Sequence, residues 1–123
     1  MHPEAAIGHA PTGGITSRLH TMVGLLRAKE LLLSGRWVEP EEGLRIGLYT
    51  ELHDDPSARA AEVAAAYADA PRRSQSAVKR AIELAAAPTL ETNLRFEVET
   101  ATYCFQSAET AESFVRFQTQ GRP

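Results

Sequence analysis

The chain has 123 residues, 43% of them hydrophobic, and a net charge of −3, values that fit one globular domain. A slightly acidic chain without a cluster of Lys or Arg is not expected to bind nucleic acid, because phosphate binding needs concentrated positive charge. The one cysteine, Cys104, excludes an internal disulfide framework and is typical of a reducing compartment. Neither a secretory leader nor an apolar stretch of membrane-spanning length is recognisable, so the sequence predicts a soluble cytoplasmic protein without a membrane partner.

The first part of the chain predicts a loop followed by short helices. Closely spaced Pro and Gly residues make residues 1–14 a loop, and Thr16 or Ser17 is placed to cap the helix that follows. Gly24 interrupts the next apolar stripe and separates two helices, while Gly35 is suited to the left-handed position after the second. The expected helices of this part cover residues 16–22, residues 25–34 and a short segment that begins at Pro40.

Two short extended segments are also predicted. Residues 37–38 precede a proline, and residues 48–52 read Leu-Tyr-Thr-Glu-Leu, in which side chains alternate as they do in a half-buried strand. A half-buried layer needs a second layer, and the surrounding segments predict no sheet. We therefore expect these strands to pair with another chain or with sequence that is absent from this one.

The rest of the chain predicts helices. Proline residues separate alanine-rich and amphipathic segments, which is the usual way for one helix to end before the next begins. The longest apolar stripe, formed by Leu90, Leu94, Val98, Ala101 and Phe105, recurs every three or four positions. The expected helices cover residues 57–69, residues 73–87, the segment after Pro88 and residues 109–119.

The segment PEAAIGHAPTGGITSRLHTMVG resembles a motif of the crotonase superfamily, the enoyl-CoA hydratases and isomerases. It follows the family pattern P-E-x-x-x-G-x-x-P-x-x-G-x-x-x-R-L-x-x-x-V-G from Pro3 to Gly24. Residues 27–52, Lys79 and the closing segment AETAESFVRFQTQGRP are similar to later parts of family sequences, in the same order. The resemblance covers essentially the whole chain and corresponds to the carboxyl-terminal half of longer family members.

The resemblance implies a mainly α-helical chain with two short β segments. It would be the carboxyl-terminal half of the α/β crotonase (ClpP/crotonase-type) fold, without the amino-terminal β-turn spiral core. Residues 1–56 would contribute the pocket loop, short helices and a strand at the end of that core. Residues 57–123 would form a helical region for subunit contacts and for part of the coenzyme A cover. In this interpretation Met1 is an internal methionine or the start of a truncated or split reading frame.

The resemblance also implies a reaction on an acyl-CoA thioester through an enolate. Glu4 stands where family members have a carboxylate that acts as general acid and base. A carboxyl group beside an apolar pocket suits both roles, because desolvation favours its protonated form. Small residues in the loop that follows would let backbone amides approach the acyl group. The predicted pocket residues are Gly8, Pro11, Thr12, Gly13 and Gly14.

Thr12 and Ile15 replace the first and last glycines of the commonest hydratase loop, Pro-Gly-Ala-Gly-Gly. This departure leaves hydration, isomerisation, hydrolysis and C–C cleavage open, since the superfamily uses one enolate strategy for many reactions. Phe114 and Phe117 lie where family members cover the adenine end of coenzyme A, with ordinary packing as the alternative. Coenzyme A would be part of the substrate, no separate cofactor is implied, and the spacing of the histidines predicts no metal site.

The resemblance places the oxyanion-hole amides and a second glutamate in the half of the family that has no counterpart in this sequence. We therefore expect negligible activity from these 123 residues alone. The intact enzyme would be a homo-oligomer, commonly a trimer or hexamer. Two alternatives stay open: a separately encoded half that completes the site, or a non-catalytic helical module or decayed paralogue that binds intact crotonase-like subunits.

Overall fold

The computed structural model describes residues 2–120 and contains seven α-helices and one 3-10 helix over that range. The 3-10 helix, Ala5–Ile7, lies inside the segment that was expected to be a loop throughout. The predicted α-helices are confirmed with shifts of one or two residues at their ends. They are α1 (Ile15–Val23), α2 (Leu25–Ser34), α3 (Pro40–Arg45), α4 (Pro56–Ala68), α5 (Arg72–Ala86), α6 (Leu90–Phe105) and α7 (Ala108–Gln120).

The two predicted strands are wrong, because residues 2–120 contain no β-strand. Residues 48–52 turn back onto α3 instead: the N–H groups of Leu48 and Tyr49 donate to the carbonyl of Gly43, at 2.8 and 3.3 Å. The Tyr49 ring then covers Gly43 so closely that a methyl group at this position would collide with it. Backbone groups that are already bonded to the preceding helix are not free to form a strand ladder.

The segment at residues 37–38 is held by the side chain before it. The guanidinium of Arg36 donates to the carboxylates of Glu30 in α2 and Glu42 in α3, and to the carbonyl of Trp37. A planar guanidinium can bind two carboxylates in one plane, so this residue joins the two helices across the connecting segment. The extended connection therefore has a local tether in place of a neighbouring strand.

A small hydrophobic core lies between α1 and α2. Its buried residues are Leu19 of α1 and Ala28 and Leu31 of α2. The predicted end of α2 is confirmed, since Gly35 adopts a left-handed φ of +61°. Half-buried apolar side chains complete the core: Ile15, Val23, Leu32, Val38, Ile46 and Leu48.

The last two helices pack against the first part of the chain. α6 crosses α1, and α7 contacts both α6 and the 3-10 helix. By contrast, every residue of α4 and α5 is at least partly exposed. The suggested division at residues 56 and 57 is thus bridged by α6 and α7, while residues 121–123 of the predicted second region lie outside the described residues.

Candidate functional site

Glu4 stands immediately before the 3-10 helix, and its backbone is firmly held. Its carbonyl accepts the N–H groups of Ile7 and His9, at 3.2 and 2.8 Å. Its carboxylate has two different environments. Oε1 lies 3.5 Å from Nδ1 of His2, whereas Oε2 is buried and has no hydrogen-bond partner among residues 2–120. A buried carboxylate oxygen is normally paired, so an unpaired one marks a position where a ligand or water would bind.

Residues 8–14, which we name the pocket loop, are anchored at both ends. The carbonyl of Gly8 accepts a hydrogen bond of 2.5 Å from the hydroxyl of Thr110 in α7. A Cβ at Gly8 would come within 3.1 Å of the Thr110 Cα, and a Cβ at Gly14 would come within 3.3 Å of Leu94 and 3.4 Å of Leu90 in α6. Because Gly8 and Gly14 lack a side chain, α7 can approach the loop at Gly8 and α6 can approach it at Gly14. These helices fill the space beside the two glycines.

The middle of the pocket loop is open. Pro11 is half-buried, while Thr12 and Gly13 are exposed. Gly13 has a φ of +77°, and a Cβ built on it would have no described atom within 4 Å. Of the five predicted pocket residues, Thr12 and Gly13 are thus the ones whose backbone a ligand could reach directly.

Glu97, which sequence reasoning missed, holds the end of the pocket loop. Only 3% of this residue is exposed. Its Oε2 accepts the N–H of Gly14 at 2.7 Å, and its Oε1 accepts both the N–H of Thr16, at 3.1 Å, and the Thr16 hydroxyl. The predicted cap at Thr16 or Ser17 is therefore wrong: Gly14 is the N-cap residue of α1, and a carboxylate from α6 takes over the capping role.

The same face of α6 provides a second polar contact and a sequence signal. Asn93, one turn before Glu97, donates from Nδ2 to the hydroxyl of the buried Ser17 at 2.9 Å. The expected apolar stripe included Val98 and Phe105, but these residues are 61% and 60% exposed. The face that packs on the pocket loop runs through positions 90, 94, 97 and 101, with a glutamate where an apolar residue would be usual. A glutamate on the apolar face of α6 was therefore the sequence signal that could have identified Glu97 as a buried functional residue.

Phe114 lies in an aromatic group beside the pocket loop. The ring centroid of His9 is 4.4 Å from that of Phe105 and 6.4 Å from that of Phe114, with both pairs edge-on. Phe105 and Phe114 are nearly parallel, with centroids 5.9 Å apart. Phe117 is half-buried in the same helix. The described contacts of Phe114 are thus packing contacts with the loop and with α6.

Within the described residues, no group of three His, Cys, Asp or Glu side chains is arranged to hold a metal ion. No helix in that part of the chain combines the length and apolar character needed to cross a membrane. A surface groove lies between residues 49–54 and α4, and none of the predicted site residues lines it.

A family model described as enoyl-CoA hydratase/isomerase matches residues 1–123, so the chain belongs to this family. The predicted superfamily and fold assignment is thereby confirmed, apart from the two strands.

Relatives and a solved structure agree with this assignment. The short-chain-enoyl-CoA hydratase of Clostridioides difficile is 31% identical over 119 residues, which are 94% of this chain and 76% of that protein. The enzyme of the same name from Clostridium acetobutylicum is 28% identical over 121 residues, 94% of this chain and 45% of that protein. A crystal structure from Acinetobacter baumannii, assigned as an enoyl-CoA hydratase/isomerase, matches with a TM-score of 0.82 at 26% identity. This match covers 89% of the chain and 47% of the solved one, so the chain spans about half of that structure.

Proposed function

We propose that these residues form part of the active site of an enoyl-CoA hydratase/isomerase-like enzyme that acts on an acyl-CoA thioester through an enolate. Glu4 is the general acid and base. The observation that supports this role best is its Oε2, which is buried and unpartnered among residues 2–120, in a segment that matches the family motif. Both clostridial relatives are short-chain-enoyl-CoA hydratases, which supports the substrate class.

The two oxygens of Glu4 suit different tasks. His2 lies beside Oε1, at 3.5 Å, while Oε2 has no competing partner within the described range. In a hydration, Oε2 would take a proton from a water molecule as the water oxygen bonds to the β-carbon, and would then deliver that proton to the α-carbon of the resulting enolate. In an isomerisation, the same oxygen would remove a proton from one carbon and return it to another.

The pocket loop would hold the acyl group beside this carboxylate. Its exposed Thr12–Gly13 backbone is available to the substrate, while Gly8 and Gly14 are occupied by contacts with α7 and α6. The oxyanion donors that stabilise the enolate would come from residues outside this chain. The substrate thioester carries the coenzyme A, so the reaction needs no separate cofactor.

The remaining helices would serve assembly and substrate cover. Exposed apolar side chains on α4 and α5, such as Tyr67 and Ile82 at 65% and 62% exposure, support a role in contacts between subunits of a trimer or hexamer. Phe114 and Phe117 would lie near the adenine end of coenzyme A. A cytoplasmic location fits this chemistry, because acyl-CoA substrates are made and used inside cells.

Hydration of crotonyl-CoA tests the proposal, followed by the loss of absorbance of the conjugated thioester. We would compare the 123-residue chain with a form extended in frame by the residues encoded upstream. The extended form should be active, and Glu4→Gln should lower its kcat by about 100-fold or more, because general acid–base groups contribute factors of that size. Glu41→Gln, a change at an exposed glutamate in α3, is the matched control. Full activity in Glu4→Gln would contradict the assigned role.

A second candidate is a non-catalytic module that binds intact crotonase-like subunits. The exposure of every residue in α4 and α5 favours it, because these helices offer an unpaired apolar surface. Inactivity of both forms, together with co-purification with such a subunit, would favour this candidate. Activity of the extended form that depends on Glu4 would exclude it.

A further inference from the structure

Glu97 is the one charged side chain that is buried among the residues described, and the nature of its partners explains how the charge is tolerated. Three donors point at its two oxygens: the N–H groups of Gly14 and Thr16, and the Thr16 hydroxyl. An ionised carboxylate only accepts hydrogen bonds, so this set of donors suits the charged form. The positive end of the α1 dipole lies at the same place and also favours a negative charge.

This contact joins parts of the chain that are 83 positions apart. α1 begins at Ile15, and its N-cap residue is a glycine, which offers no side-chain acceptor. A leucine at position 97 would continue the apolar face of α6, but it would leave the N–H groups of Gly14 and Thr16 without their acceptor. The carboxylate therefore determines where the end of the pocket loop lies relative to α6.

The pocket loop is held at its other end by a comparable contact. Thr110 is 3% exposed, donates to the carbonyl of Gly8, and is itself bonded to Ser107 at the start of α7. The segment between Gly8 and Gly14 thus has both ends tied to the α6–α7 pair, while its middle is exposed. Movement of either tie would displace the open Thr12–Gly13 backbone.

We propose that Glu97 is a positioning residue: its carboxylate holds Gly14 and the start of α1, and thereby sets the place of the exposed pocket-loop backbone relative to Glu4. The inference rests on the proposed function for its consequence in catalysis. Glu97 is not itself catalytic, since its oxygens are buried and occupied by protein donors. Its effect on the reaction passes through the pocket loop.

The first test measures amide hydrogen exchange in Glu97→Gln. The side-chain amide of glutamine keeps the volume of glutamate, but its NH2 group would face one of the N–H or O–H groups that now donate to Glu97. Exchange at Gly14 and Thr16 should become about 10-fold faster or more, while exchange at Leu31 in the α2 core stays unchanged. Glu99→Gln, on the exposed side of α6, is the matched control and should alter none of these rates.

The second test measures steady-state kinetics with crotonyl-CoA in the form of the enzyme that turns it over. Glu97→Gln should lower kcat by about 10-fold or more and change KM by less than about threefold, because a displaced pocket loop affects the transition state more than coenzyme A binding. Thr16→Val removes one of the three donors at similar volume. It should lower kcat in the same direction by a smaller factor, which keeps the test informative if Glu97→Gln does not fold.

The outcomes separate the two proposals. Unchanged exchange at Gly14 and Thr16 in both Glu97→Gln and Thr16→Val would overturn the positioning role. Faster exchange in Glu97→Gln together with kcat and KM values equal to those of the Glu99→Gln control would also overturn it, because Glu97 would then stabilise α1 without affecting the reaction. If the unmodified enzyme does not hydrate crotonyl-CoA, the proposed hydration fails, and the exchange measurement alone decides whether Glu97 positions the loop.

Discussion

Two regions of this chain are both helical but differ in what holds them. The clamped region consists of the 3-10 helix, the pocket loop, α1, α2, α6 and α7, and it contains the buried Gly14 and the buried residues of the α1–α2 core. The bare helices, α4 and α5, have residues that are all at least partly exposed. Helix formation and tertiary anchoring are therefore separate: alanine-rich segments form helices locally, whereas a fixed position requires burial.

Polar contacts show the same contrast. In the clamped region, buried groups are paired over long sequence separations, as in Glu97 with Gly14 and Thr110 with Gly8. The bare helices have exposed ion pairs instead, such as Arg59 with Glu51 and Glu62. Exposed ion pairs contribute little to stability because water competes for the charged groups. Removal of one partner from a buried network costs more stability, because the other partner is left without a hydrogen bond.

The greatest difference in the free energy of unfolding is expected between variants of a core leucine and of an exposed isoleucine. Leu31→Ala should lower the free energy of unfolding by about 3 kcal/mol, because it opens a cavity between α1 and α2. Ile82→Ala in α5 should change it by no more than about 0.5 kcal/mol, because this side chain is 62% exposed. Urea denaturation followed by circular dichroism measures both. Equal losses would show that α5 is packed as tightly as α2. Leu33→Ala, at a residue 75% exposed in α2, controls for the loss of leucine itself.

A smaller effect is expected within the pocket loop. Gly14→Ala should cost about 2 kcal/mol, because φ is +85° and the new methyl group would press on Leu94. Gly13→Ala should cost about 1 kcal/mol, since the backbone is similarly left-handed but the methyl group points into open space. Chemical denaturation of the two variants side by side makes the comparison. If Gly13→Ala were the more harmful, the tight contact with α6 would not be what stabilises the loop.

The smallest expected effect concerns pH. Hydrogen bonds from Arg36 hold the pKa values of Glu30 and Glu42 below their ordinary value of 4.5. A carboxyl whose pKa is lower in the folded state stabilises that state above its unfolded pKa and loses this contribution as the pH falls through the folded pKa. Stability should therefore decline below pH 4.5, and Arg36→Met should make that decline shallower. Thermal unfolding between about pH 3 and pH 7 measures it. Arg73→Met in α5 is the control, and an equal slope in both variants would exclude the Arg36 network as the cause.

Much of the fold could be predicted because the relevant signals are local. Apolar spacing, alanine-rich composition and the positions of prolines located the seven helices, Gly24 and Gly35 marked two of their ends, and the Glu4 motif indicated the family. The prediction of a strand at residues 48–52 was wrong because the alternation of side chains does not show whether a neighbouring strand exists. Tyr49 turned onto Gly43, a contact that no periodicity contains.

The candidate site could be predicted only in part. Glu4 and the pocket-loop residues were found through the motif, and their roles are still predictions. Glu97 was missed because the apolar stripe was followed through Val98, one position away on the helix. Only the packing of α6 on Gly14 distinguishes the buried position from its exposed neighbour.

The helices and their glycine breaks follow from local sequence, because hydrogen bonds within a helix and the φ preference of glycine depend on near neighbours, and the family follows from the motif that begins at Pro3. The tertiary structure alone decided which glutamate is buried, which glycines are covered and which helices stay bare. For Gly14 with Glu97 and for Gly8 with Thr110, the contact comes from residues 83 and 102 positions away, and local spacing does not contain that information.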